Sequence, residues 1–119
     1  MTKRKVENTI PVLPVSNLQN SLDYYVNTLG FKEDWKSAAV GSVSRDGCSI
    51  MLSELIQSTG PSWVWIGLDV GIFEELKNKG VRVIQEPLNY EWAYEMKIAD
   101  PDGNVLWLGT SPRDDLPKV

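Results

Sequence analysis

An α+β fold, laid out as two successive βαβββ halves, is what the hydrophobic pattern of this chain predicts. Two stretches carry apolar residues at helical spacing, and each ends in a glycine, Gly30 or Gly80. One strand-like run precedes each helix and three follow it. Neither half could bury one face of its sheet alone. The 119 residues therefore read as a single domain with an internal duplication, module one at about 9–54 and module two at about 63–110. The ends, 1–8 and 111–119, read as flexible.

Residues 9–15 form the first predicted strand. Pro11 and Pro14 have no amide donor, which confines this run to an edge or an interrupted ladder. Asn17 suits an N-cap, and Leu18, Leu22, Tyr25, Val26 and Leu29 mark an amphipathic helix over 18–29. Strands follow at 31–38, 42–46 and 48–54, the last two joined by the turn pair Asp46-Gly47. Residues 55–62 read as a loop. The second half repeats the order, with a strand at 63–69, a helix at 71–79, and strands at 81–86, 92–99 and 105–110.

Composition narrows the chemistry. The chain has no histidine, which removes imidazole bases, Ser-His-Asp and Cys-His catalysis, and His-ligated metals. A single cysteine, Cys48, allows no internal disulfide and reads as a small core residue. With no apolar run near bilayer length and no signal-like apolar segment after the basic start, a cytoplasmic protein without a membrane partner is expected. The formal charge is −4, and three of the cations are Lys3, Arg4 and Lys5 at the start, so the remaining body carries −7. That body is a poor match for a phosphate backbone, so nucleic acid is not an expected partner.

The turn Asp100-Pro101-Asp102-Gly103-Asn104 fixes a register. A three-residue loop at 101–103 sets Asp100 opposite Asn104, Lys97 opposite Trp107, and Met96 opposite Leu108. One face then holds Tyr94, Met96, Ile98, Leu106 and Leu108, a helix-side core. The other holds Glu95, Lys97, Val105, Trp107 and Gly109. Trp63, Trp65, Gly67 and Asp69 share that second face on the 63–69 strand, and Ser49, Met51 and Ser53 oppose the core residues of 48–54. A sheet face bearing indoles, a methionine and a Lys/Glu pair reads as a ligand cleft or a subunit interface. Asp100 and Asp102 read as turn formers rather than acid-base groups.

Val15-Ser-Asn-Leu-Gln-Asn-Ser-Leu-Asp-Tyr-Tyr25, Leu29-Gly-Phe31 and Asp100-Pro-Asp-Gly-Asn104, in this order and spacing, resemble the vicinal-oxygen-chelate superfamily, the glyoxalase/bleomycin-resistance/dioxygenase fold. Within it, the 10–15, 44–47, 50–54 and 63–66 segments and Asn89-Tyr-Glu-Trp92 are most similar to the bleomycin-resistance proteins. The resemblance implies paired βαβββ modules forming a cupped eight-stranded mixed sheet with helices outside. It also implies a homodimer binding its ligand in crevices at the dimer interface. The metal-ligand positions of the superfamily's enzymes fall here on Ile10, Trp65 and Trp107, with a fourth near Met51. None of these side chains can hold a hard or borderline metal, so no metal and no cofactor are expected.

This reading makes the chain a metal-independent binding protein that sequesters a planar or aromatic small molecule, cationic ones included, as an antibiotic-resistance function. Its expected ligand-binding residues are Trp65, Trp107, Trp63, Met51, Ser53, Glu95, Lys97, Trp92, Tyr90 and Trp35, with no catalytic residue. Indoles offer flat stacking faces, and roughly 0.5–2 kcal/mol more under a cation. Two other readings stay open in the residues. One is a metal-independent enzyme using Glu95, Lys97 or Tyr90 as acid-base groups. The other is a structural or regulatory dimerisation module whose indoles are consumed in packing.

Overall fold

Asn17 opens the first helix in extended backbone, and its side-chain oxygen accepts the Asn20 N–H at 2.9 Å. In the computed structural model, which describes residues 4–57 and 60–119, this helix is α1 (Leu18–Asp23). Residues 1–3 of the expected flexible start and 58–59 of the 55–62 loop lie outside the described residues. The expected continuation to residue 29 is present but wider. Tyr24–Thr28 form a π-helical turn, with Leu29 N–H bonded to the Tyr24 carbonyl at 3.1 Å. Both tyrosines at this widened turn place their hydroxyls on the second module, as described below.

The first module has strands β1 (Val12–Pro14), β2 (Lys32–Lys36), β3 (Val40–Arg45) and β4 (Cys48–Ser53). The second has β5 (Trp63–Gly67), α2 (Val70–Asn78), β6 (Arg82–Asn89), β7 (Tyr94–Ala99) and β8 (Val105–Thr110). Each module builds its own four-stranded mixed sheet, in the orders β1-β4-β3-β2 and β5-β8-β7-β6. In each, the first strand runs parallel to the last and the other pairs are antiparallel. The two modules thus share one strand topology. The two prolines put β1 at an edge, as their missing donors require. Asp46 and Gly47 both take positive φ, 51° and 79°, the paired left-handed conformation of a type I′ hairpin turn.

One apolar core serves both modules. Leu18, Leu22 and Tyr25 from the first helical segment and Phe73 and Leu76 from α2 pack with Leu13, Leu52, Met96, Ile98, Leu106 and Leu108. The 100–104 hairpin bolts the modules together. Asp100 is buried and accepts four hydrogen bonds, from Tyr25 Oη, Asp102 N, Asn104 N and Asn104 Nδ2, at 2.9–3.0 Å. Asp102 accepts Ser16 N at 2.9 Å and Ser21 Oγ at 3.3 Å, and Asn104 Nδ2 donates to the Pro14 carbonyl at 2.8 Å. Tyr24 Oη donates to the Ala99 carbonyl. The acidic turn is thus spent on structure, as read from its sequence.

Burial, and then the nearby Asp100 charge, push the Tyr24 phenol up to about 12 and the Tyr25 phenol well above its ordinary value. The folded state therefore keeps protons that the unfolded chain releases near pH 10. Stability is fully present below that pH and falls as pH rises toward 12 and beyond. The slope is about 1.4 kcal/mol per pH unit for the proton that buried Tyr25 retains. Alkaline unfolding followed by circular dichroism should coincide with phenolate absorbance, and Tyr25→Phe should flatten the fall.

The seam between the sheets stays open. Two crevices, of about 460 and 380 Å3, run along it and share Phe31, Cys48, Ile66 and Gly67 in their walls. The radius of gyration is 15.7 Å, against about 13.5 Å for a compact chain of this length. At the far end, the Asn89 side chain donates to the carbonyls of Arg113, Leu116 and Pro117 and accepts the Arg113 N–H, which lays the tail along β6. Among the described residues, no helix is long and apolar enough to cross a membrane.

Candidate functional site

The parallel pairing of β5 with β8 sets Trp65 directly beside Trp107, and the antiparallel pairing of β7 with β8 sets Lys97 beside Trp107 on its other flank. Gln85 of β6 completes the row, opposite Lys97. The next row reads Gly67, Gly109, Glu95 and Leu88. Strand alternation turns both rows away from the core, because Met96, Ile98, Leu106 and Leu108 point the other way. The second sheet thus carries an open face of indoles and polar side chains.

Trp107 is the hub of that face. Its ring meets Trp65 edge-on at 5.4 Å and Trp63 edge-on at 6.4 Å. Lys97 Nζ lies 5.2 Å from the Trp107 ring and 5.8 Å from that of Trp63. Trp107 is half-buried by these neighbours, whereas Trp63 and Trp65 remain 58% and 50% exposed. The free stacking surface is therefore offered by Trp65 and Trp63, and Trp107 supports them.

Trp65 rests on a glycine floor. A Cβ built on Gly109 would lie 2.0 Å from Trp65 Cη2, and one on Gly67 would touch Trp65 Nε1 at 3.7 Å. Each hub strand carries the same Trp-x-Gly pattern, Trp65-Ile-Gly67 and Trp107-Leu-Gly109. A Gly109→Ala variant should displace the exposed indole tip without disturbing the ladder. We expect a stability change under about 1 kcal/mol, but a clear shift in tryptophan emission, read by thermal unfolding and fluorescence.

The rim follows from the β6–β7 connection. Tyr90 and Trp92 stack at 4.7 Å with 12° between their planes, and Trp92 is 67% exposed. Trp92 Nε1 donates to Glu95 Oε2 at 3.1 Å, and Glu95 itself is buried. Lys97 Nζ donates to Gln85 Oε1 at 2.9 Å. No ion pair joins Lys97 to Glu95 among the described residues, although they stand two apart on one strand face.

Five of the ten expected residues, Trp63, Trp65, Trp107, Glu95 and Lys97, stand on strands of one sheet, and Tyr90 and Trp92 lie in the connection between two of its strands. The other three lie on the first sheet. Met51 pairs with Ser42, and an irregularity between Glu33 and Trp35 brings Trp35 opposite Ser42 as well. Met51 and Trp35 therefore share a row of a different open face, with no ring contact between Trp35 and the other indoles among the described residues. Ser53 is buried, and its hydroxyl accepts the Leu55 N–H at 3.1 Å, a local turn contact. Glu54 accepts the Leu18 N–H and so caps α1. Cys48, read as a core residue, is exposed at the hairpin.

Gln85 escaped the sequence reading. Two register irregularities, between Val83 and Gln85 and between Gln85 and Leu88, flank it. Bulges re-aim side chains, and alternation counted along the sequence cannot see them. The side chains at the positions that the family resemblance assigns to metal ligands are those of Ile10, Trp65 and Trp107, with Met51 near the fourth. An indole Nε1 carries a hydrogen and no lone pair for a cation, and among the described residues no group of three or more His, Cys, Asp or Glu is placed to hold an ion. The residues present do not fit a metal centre.

Solved structures are similar along nearly the whole chain. One is TnmS3, an antibiotic binding protein from Streptomyces sp. CB03234, at 27% identity and a TM-score of 0.76, covering 93% of this chain and 98% of that one. Another is a bleomycin resistance determinant encoded on the transposon Tn5, at 18% identity and a TM-score of 0.77, covering 89% and 98%. A third is a glyoxalase/bleomycin resistance protein/dioxygenase from Nocardioides, at 17% and 0.73, covering 99% and 91%. At those last two identities the likeness is one of fold. Comparison with curated proteins finds no match. Residues 9–108 match the sequence profile of the Glyoxalase/Bleomycin resistance protein/Dioxygenase superfamily, and the chain belongs to that superfamily.

Proposed function

We propose that this protein binds and sequesters a planar or aromatic drug or metabolite, stacking it on the indoles of the second sheet without making or breaking a bond. The observation that carries this reading is the exposed pair Trp63 and Trp65, both held edge-on by Trp107, with Trp65 over a glycine floor. Large exposed indoles packed against a common ring are poor surface in water and good surface for a flat ring. The 27% identity to an antibiotic binding protein supports an antibiotic as the ligand and a role in antibiotic resistance. A cytoplasmic setting accords with the single, unpaired Cys48.

A homodimer completes this reading. The open inter-module seam and the enlarged radius of gyration leave apolar surface that a second copy would cover. Met51 and Trp35, on the other sheet, would join the ligand only across such an interface.

The test is an equilibrium titration of intrinsic tryptophan fluorescence with metal-free bleomycin and a panel of flat aromatics. Saturable quenching by at least one compound, with a Kd in the micromolar range or below, supports sequestration. Linear responses from every compound argue against it.

A further inference from the structure

We propose that the ring system taken by this cleft carries an oxygen acceptor, a carbonyl, phenolate or carboxylate, that docks on Lys97 Nζ beside Gln85, and that cationic rings are disfavoured. The inference rests on the stacking cleft proposed above and names the polarity of its ligand.

Three observations carry it. First, a cation already occupies the indoles. Lys97 Nζ lies over Trp107 and Trp63, so a positively charged ring must displace or approach a resident positive charge. Second, that ammonium is short of acceptors. It has three donors, makes one hydrogen bond to Gln85 Oε1, and has no carboxylate within 4.0 Å among the described residues. The neighbouring carboxylate, Glu95, is instead bonded to Trp92 Nε1. Third, the surplus of donors continues along the same row. Gln85 Nε2 and Trp107 Nε1 are both buried with no hydrogen-bond partner.

A buried donor without an acceptor is unfavourable, and each specific instance asks for an explanation. Here two neighbouring donors are buried without an acceptor, the half-buried Lys97 ammonium beside them has one acceptor for its three hydrogens, and Gln85 is set into the row by register irregularities on both sides. One oxygen-bearing edge of a flat ligand would meet this deficit. Charge near an apolar stacking surface selects strongly by sign, because the surrounding low dielectric strengthens attraction and repulsion alike.

The experiment compares three rings of one shape by calorimetric titration: acridine-9-carboxylate, acridine and 9-aminoacridine. The carboxylate should bind at least about tenfold tighter than the aminoacridine. Lys97→Met should abolish that preference, bringing the carboxylate and the aminoacridine to within about twofold of each other. Equal or tighter binding of 9-aminoacridine overturns the inference, as does a carboxylate preference that survives in Lys97→Met. In either case acridine binding would leave the stacking cleft standing. Failure of all three to bind folded protein overturns the cleft and the inference together.

Discussion

Replacing Asp100 by alanine should lower the unfolding free energy by about 3–5 kcal/mol, the range for stripping a buried charged acceptor from its donors. The carboxylate collects Tyr25 Oη, Asn104 Nδ2 and two backbone N–H groups within 3.0 Å. Its removal leaves all four in a site closed to water. The damage is also architectural, because Tyr25 belongs to the first module and Asp100 to the second. A domain of this size is stable by roughly 5–15 kcal/mol, so the variant should be folded only marginally. Urea unfolding measures this directly. Tyr25→Phe, which keeps the ring and loses one hydrogen bond, should cost far less, about 1–2 kcal/mol. An Asp100→Ala loss below about 1 kcal/mol would mean that the modules are held together elsewhere.

The two central tryptophans should separate binding from stability. Trp65 is half exposed on its glycine floor, so Trp65→Ala removes ligand surface and little else. We expect affinity for a flat aromatic to fall by about 30–150-fold, from roughly 2–3 kcal/mol of lost stacking and burial, with stability nearly unchanged. Trp107→Ala should do both. It takes away the ring against which Trp63, Trp65 and Lys97 pack, and should cost about 2–3 kcal/mol of stability, less than a fully buried tryptophan would. Its affinity loss should match or exceed that of Trp65→Ala. Thermal unfolding and calorimetric titration of the two variants side by side separate these effects.

Much of the fold was legible because local chemistry and topology agree in this chain. Asn17 caps, Gly30 and Gly80 end helices in left-handed backbone, and Asp46-Gly47 turns a hairpin. The three-residue loop after Asp100 fixed the Lys97–Trp107 and Met96–Leu108 pairings by counting alone. That count, with alternation along the 63–69 strand, put Glu95, Lys97, Trp107, Trp63 and Trp65 on one face. What escaped is what alternation cannot encode. The irregularity beside Trp35 hid its side of the sheet, and those flanking Gln85 hid its place beside Lys97. Ser53 shares Met51's parity, but a turn contact to Leu55 takes its hydroxyl. The widening of the first helix at Tyr24–Thr28 leaves no trace in apolar spacing, which is nearly the same for both helix types over one turn.

The most direct test of the central claim is fluorine NMR of the protein carrying 5-fluorotryptophan at all five indoles, each signal assigned by a Trp→Phe variant. Saturation with a bound flat aromatic should move the Trp65 and Trp63 signals most and the Trp107 signal with them, since these three rings form one packed group. Trp65 and Trp107 signals that stay in place while the ligand saturates would contradict the account, and would put the ligand somewhere other than the open face of the second sheet.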